Sequence, residues 1–220
     1  MQRQTIPLSS VQWIVVDDGD EPITPTAGQE YVRRVRTPGT TGSQSIALNV
    51  LEGLARARGE TVFVIEHDDH YKADHIERTL ELLARPGVVI AGDDEQHYYH
   101  VERRRWKLYH NRGASLCQTA FRRELVPLVE QTARACMAAD KYGIDTALWA
   151  AVDDKRKALA RLETVTGIKG LPGPRKGLGL GHRVEVVDRW AEDPSLRQLR
   201  AWVGTEDAEV YAPFGARVAA

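Results

Sequence analysis

Apolar residues fall along this chain in two alternating kinds of run. Three runs are short and continuous: Gln12-Trp13-Ile14-Val15-Val16, Thr61-Val62-Phe63-Val64-Ile65 and Val88-Val89-Ile90-Ala91-Gly92. Runs of that form predict strands buried on both faces. Tyr31-Val32-Arg33-Arg34-Val35 predicts a more exposed strand, after which Thr37-Pro38-Gly39-Thr40-Thr41-Gly42 breaks the chain. Between the strands the period changes. Ile46, Val50, Leu51, Leu54 and Ala57 lie at helical spacing. They predict a helix over 45–58, with Ser43 as N-cap and Gly59 just past its end. A second amphipathic helix is predicted over 74–84, closed by Pro86-Gly87. This rhythm implies an α/β fold: a mostly parallel sheet with helices on both faces.

Beyond residue 93 the pattern loosens. Helices are expected over 123–138, within 144–161, and over 188–203 with Pro194 dividing the last. Residues 166–181 are rich in Gly and Pro and read as a loop. The tail after Gly204 is expected to be ordered only by docking.

Composition narrows the classes. A chain of 220 residues is long enough for one sizeable α/β domain or a small pair. Its net charge of −1 gives no global argument for nucleic acid or a membrane surface, so either partner must be argued from a local patch. Cys117 and Cys136 lack metal-type spacing and read as plain buried thiols, which fits a reducing, cytoplasmic setting. No apolar run approaches the ~18 residues of a membrane span. Residues 1–5 lack the apolar stretch of a signal peptide. No membrane partner is expected.

The candidate chemistry sits where apolar runs stop. Two of the strands end in acid pairs, Asp17-Asp18 and Asp68-Asp69. In open parallel sheets ligands bind beyond the carboxyl ends of strands. Clustered carboxylates repel one another, and a divalent cation relieves that cost while suiting a diphosphate. Loop acids or helix N-caps are the simpler alternative, weakened because both pairs stand at strand ends.

Three blocks together resemble family 2 and related GT-A glycosyltransferases. Val15-Val16-Asp17-Asp18-Gly19 is similar to their uridine-contacting strand end. The stretch 40–49, with Gly42, Ala47 and Asn49, is similar to the helix signature that follows. Gly59-Glu60, then Val62-Phe63-Val64-Ile65-Glu66-His67-Asp68-Asp69, resembles their apolar strand ending in a DxD motif, with Glu66 replacing the first aspartate. The resemblance covers about residues 11–95. It implies a GT-A-type, Rossmann-like fold in which residues 1–95 form the donor half and 96–220 the acceptor and catalytic half of one domain. Asp18 or Asp17 would bind the base of a UDP-type nucleotide sugar, with Gly42 and Asn49 in the same pocket. Asp68 would hold Mn2+ or Mg2+ on the diphosphate, with Glu66 or Asp69 assisting at the ribose or the metal. Family members begin with a further strand and helix. Residues 1–5 read as the end of that helix, so the sheet is expected to lack its usual first strand.

The second half adds groups. Asp145 opens Asp145-Thr146-Ala147-Leu148-Trp149, where inverting family members place a carboxylate base; it reads equally as a helix N-cap, and one residue can do both. Residues 167–182, GIKGLPGPRKGLGLGH, combine glycines with Lys169, Arg175 and Lys176, which suits closure over a diphosphate. A flexible surface loop is the alternative. His182 would complete the metal site. Residues 97–112, HYYHVERRRWKLYHNR, interleave aromatic and basic residues, and Tyr99, Arg103, Arg104, Arg105 and Trp106 are candidate acceptor contacts. A solvated β-hairpin is the alternative.

Residues 109–121 (YHNRGASLCQTAF) and 167–183 also resemble short GT-A proteins of bacteriophages. That resemblance implies double-stranded DNA with hydroxymethylated pyrimidines as acceptor. A surface glycan or small molecule remains the competing acceptor. A nucleotidyltransferase and a non-catalytic nucleic-acid-binding module are the readings from other classes.

Overall fold

The computed structural model describes residues 1–110, 112–172 and 182–218, with side chains as far as Gly215. The elements run β1 (Trp13–Asp17), β2 (Gln29–Arg33), α1 (Gly42–Leu54), β3 (Thr61–Phe63), β4 (His70–Tyr71), α2 (His75–Leu83), β5 (Ile90–Asp93), β6 (Glu95–His100) and β7 (Arg105–His110). Then come β8 (Thr119–Arg122), α3 (Val126–Ala138), α4 (Ile144–Ala151), β9 (Lys157–Ala160), β10 (Val165–Lys169), α5 (Val184–Val187), β11 (Ala191–Glu192), α6 (Arg197–Val203) and α7 (Thr205–Tyr211).

The α/β class is as expected, but strand pairing is mixed rather than mostly parallel. Among the described residues three sheets form, with orders β1-β2, β3-β8-β5-β9 and β11-β7-β6-β10-β4. The pairs β1–β2, β5–β9 and β6–β10 are parallel, and the other five described pairs are antiparallel. The physical reason lies in the connections. β6 turns directly into β7, and β8 follows through one short 3-10 turn at Leu116–Gln118, so no crossover helix restores a parallel direction. The four-stranded sheet draws β3 and β5 from the first 95 residues and β8 and β9 from the rest.

Local chemistry explains the shifted boundaries. Thr41, not Ser43, caps α1: its hydroxyl accepts from Gln44 N at 3.3 Å, and Gln44 Oε1 accepts from Thr41 N at 3.2 Å. Asp140 accepts from Ser43 Oγ at 2.5 Å and from the Thr41 hydroxyl, tying this helix start to the end of α3. α1 stops at Leu54, short of residue 58. The Gln12 side chain takes the Arg56 carbonyl and the Arg58 amide, which removes both from helical pairing. Helix α4 ends at Ala151 and the chain returns as β9, so 144–161 holds one helix and then a short strand. Residues 188–203 hold β11 and α6 rather than one helix, and the tail docks as α7.

Residues 1–5 form turns and not the end of a helix. Thr5 N donates to Ala73 O, Gln4 bridges Lys72 O and Ile76 N, and Arg3 grips Asp207 through both terminal nitrogens. The β1–β2 ladder pairs with no other described strand.

Two of the hydrophobic cores are the most extensive. One gathers Ile90, Phe121, Val129, Leu148 and Trp149 between the four-stranded sheet and helices α3 and α4. The other gathers Tyr99, Ile168, Leu199, Trp202 and Ala208, where α6 and α7 cover one face of the five-stranded sheet.

Candidate active site

The apolar run of β3 delivers the acidic segment to the interior. Val64 N still bonds Thr119 O beyond the strand, and the Glu66 amide donates to the Tyr71 hydroxyl at 2.9 Å. These two anchors fold 65–69 into a tight connection that ends in β4. Ligand atoms of Glu66, Asp69 and Cys117 there lie within 4.8 Å of one another.

Asp69 is the most constrained of the acids. Its Oδ1 accepts from Ile168 N at 3.1 Å and from Lys169 Nζ at 2.9 Å. Its side chain is 1% exposed and that of Lys169 9%. Asp69 Oδ2 is buried with no hydrogen-bond partner among the described residues. A buried carboxylate oxygen in that state is costly unless a further positive group meets it.

The electrostatics follow from crowding. Burial, then the Asp69 charge, pushes the Glu66 carboxyl up to about 8, with Asp68 and Asp145 adding to the shift. Burial likewise raises Asp69, against the pull of Lys169. Lys169 pays the opposite way: burial alone would lower its pKa, but Asp69, Asp68 and Glu66 raise it, so it stays a cation. Burial lowers His182, Lys169 lowers it further, and Asp68 opposes them. Glu66, Asp68, Asp69, Asp145, Lys169 and His182 therefore act on one another in a single field. Among the described residues Glu66 and Asp69 group with Cys117, whereas Asp68, Asp145 and His182 stand outside that group and are linked to it through charge alone. Lys169 meets Asp69 from the end of β10, a strand in a segment expected to be loop. Lys176 and Arg175 lie outside the described residues.

Asp69→Ala would strand the Lys169 ammonium in a buried position. Removing one partner of a buried pair costs on the order of 3–5 kcal/mol. A fall of that size should appear in chemical denaturation; an unchanged midpoint would mean that Lys169 escapes to solvent.

Asp145 is half-buried in the first turn of α4, and its Oδ1 accepts from Thr146 N at 2.8 Å. The N-cap is Gly143, whose φ of 122° suits a residue without a Cβ. Asp145 is thus not the N-cap that the sequence suggests, and its carboxylate lies in the field of Glu66.

The other acid pair is built differently. Asp17 shapes its own loop, accepting from Gly19 N at 2.8 Å, Ile23 N at 3.1 Å and Tyr31 Oη at 2.7 Å, with Arg33 at 3.2 Å. Asp18 faces α1. Arg34 at 2.9 Å, Arg36 at 2.7 Å and the Ser45 hydroxyl all meet its Oδ2. Burial opposes ionisation, but the Ser45 and Arg36 contacts bring it down to about 2. Arg34 also donates to Asn49 Oδ1 at 2.6 Å, so Asp18 and Asn49 form one unit beside Gly42, the first residue of α1.

The basic aromatic stretch is the hairpin β6–β7, and most of its candidate acceptor contacts work inward. Tyr99 is fully buried, and its hydroxyl donates to Asp193 at 3.1 Å. Arg104 donates to Pro194 O at 2.9 Å, while Arg105 holds Asp188 O, Trp190 O and Glu192. Trp106 packs edge-on against Trp202 at 5.5 Å. These four fasten the C-terminal segment to the hairpin. Arg103 is exposed. Sequence reasoning missed Cys117 as a neighbour of the acids. It also passed over Tyr98, whose hydroxyl is raised by burial and then by charges that include Cys117, Asp69 and Glu66. Alternation along β6 was the signal that could have separated Tyr98 from Tyr99.

No curated protein matches the chain. Among solved structures, a mannosyltransferase from Pyrobaculum calidifontis in complex with GDP-Man and Mn2+ is similar, with a TM-score of 0.45 and 13% identity. The match takes in 98% of this chain and 66% of that one, so the chain spans just under two thirds of its length. The family model described as glycosyl transferase family 2 matches residues 2–152, which include both acid pairs and Asp145. With more than half its length matched, the chain belongs to glycosyl transferase family 2.

Proposed function

We propose that the chain moves a sugar from a UDP-type nucleotide sugar to an acceptor hydroxyl, with Mn2+ or Mg2+ at Asp68. The observation that carries the reading is the buried carboxylate group at the end of β3, with Asp69 Oδ2 lacking a partner. Those oxygens, with His182 from the far end of the chain, fit a hard divalent cation. A cation bound there supplies positive charge to the departing diphosphate. Asp69 fixes Lys169 as a second positive group, Asp18 and Asn49 offer polar groups to the base, and Asp145 takes the acceptor proton.

The acceptor we favour is a carbohydrate hydroxyl on a glycan or small molecule. Transfer to hydroxymethylated pyrimidines in phage DNA would draw on Tyr99, Arg103, Arg104, Arg105 and Trp106, and all of these but Arg103 are engaged within the fold. Arg103, Lys107 and Arg112 remain exposed for a phosphate backbone. Among the described residues no helix is long and apolar enough to cross a membrane.

Release of UDP from a panel of UDP-hexoses, with Mn2+ and with chelator, tests the donor side. Turnover should depend on the cation and vanish on chelation. Cation-independent turnover would overturn the metal assignment, and turnover only with guanosine donors would overturn the base.

A further inference from the structure

Register sorts the β6–β7 hairpin into two faces. Tyr98 pairs with Lys107, Tyr99 with Trp106 and Gln96 with Tyr109. Residues paired across a ladder share a face. His97, Tyr99, Trp106 and Leu108 therefore look toward α6, where His97 stacks on Trp202 at 4.4 Å. Gln96, Tyr98, Lys107 and Tyr109 look the other way. Gly167 and Lys169 share that second face, since β10 pairs Gly167 with Tyr98 and Lys169 with His100.

This second face carries three aromatic rings. Tyr98 and Tyr109 meet edge to face at 5.6 Å, and Trp190 lies 6.3 Å from Tyr98 and 6.4 Å from Tyr109. Both tyrosines are half-buried, while Lys107 is exposed with its Nζ 5.9 Å from the Tyr109 centroid. Gly167 makes room for this arrangement, because a Cβ there would sit 2.7 Å from the Tyr98 ring. Lys169 Nζ lies 5.7 Å from the Tyr98 centroid while it holds Asp69, so the aromatic face adjoins the carboxylate group. Trp190 is 4% exposed, and its Nε1 has no hydrogen-bond partner among the described residues. Buried indole N–H groups ordinarily have one.

We infer that Tyr98, Tyr109 and Trp190 form the subsite for the acceptor, and that its occupant is a pyranose ring. The inference rests on the glycosyltransferase reading above and adds the acceptor's chemistry. The three rings stand at 82°, 43° and 76° to one another, so none is parallel to another and no flat slot opens for a base. A pyranose needs one aromatic face for its C–H groups and polar groups at its rim. Lys107, Gln96 and the indole N–H are polar groups of the same neighbourhood.

Saturation-transfer NMR with a panel of methyl hexopyranosides, and with 5-hydroxymethyl-2′-deoxycytidine as the planar probe, tests it. At least one pyranoside should receive saturation from the wild type. Its signal should fall about fivefold or more in Tyr109→Ala and persist in Tyr109→Phe. Gly167→Ala, which displaces the Tyr98 ring, should weaken it as well and serves if Tyr109→Ala does not fold. An undiminished signal in these variants overturns the subsite. So does silence from every pyranoside, or a Tyr109-dependent signal from the nucleoside alone. Mg2+-dependent UDP binding by calorimetry separates the two readings: UDP bound with no Tyr109-dependent pyranoside signal removes the subsite and leaves the donor site standing.

Discussion

Asp68→Ala should lower turnover on the order of 10³-fold while the protein stays folded, because the proposed ligand of the cation that would balance the diphosphate charge is lost. The fold should tolerate the change for an electrostatic reason. Asp68 adds to the repulsion that raises Glu66 and Asp69, so deleting it relaxes the cluster. Among the described residues, the hydrogen bonds that hold 65–69 run through Val64 N, Glu66 N and the Asp69 carboxylate rather than through the Asp68 side chain. Steady-state assays across Mn2+ concentrations, beside a thermal melt, give the two readouts. Wild-type turnover would remove Asp68 from the metal site. Loss of turnover with loss of folding would make it a structural residue.

Asp145→Asn should cost about 10²–10⁴ in kcat and leave donor binding in place. The asparagine oxygen can still accept from Thr146 N, as Asp145 Oδ1 does at 2.8 Å, so the first turn of α4 keeps its bond. What disappears is the proton acceptor. A base role and a helix-start role therefore give opposite results in this one variant. Intact kcat in Asp145→Asn would assign the side chain to the helix start alone.

How much of this could be read from the sequence depends on how local each feature is. The acids at the ends of β1 and β3 are legible because they interrupt continuous apolar runs, and the order of the three blocks made the family recognisable. Of the acids at the end of β3, Glu66 and Asp69 gather with Cys117, a neighbour the resemblance did not imply. Pairing direction was not legible. β8 and β9 are four residues each, and β10 is five residues holding a glycine, too short for a period to show. The partnership of Asp69 with Lys169 spans 100 positions and has no local signature. In Tyr98-Tyr99 the hairpin places like residues on both faces, so composition could not tell which ring faces the acids. Asp17 looked equal to Asp18, yet it closes its own loop on Gly19 and Ile23.

The separate β1–β2 ladder has a consequence for how the molecule breathes. A two-stranded ladder is marginal alone and relies on what packs beside it. Here α1 lies against β1, and Arg34 staples the pair to that helix through Asp18, Ser45 and Asn49. The ladder can therefore open at lower cost than the four-stranded sheet, while α1, packed on α3 and sharing its core, stays in place. With the donor site as proposed, a bound nucleotide would close the ladder against α1, and donor affinity would include the work of ordering it.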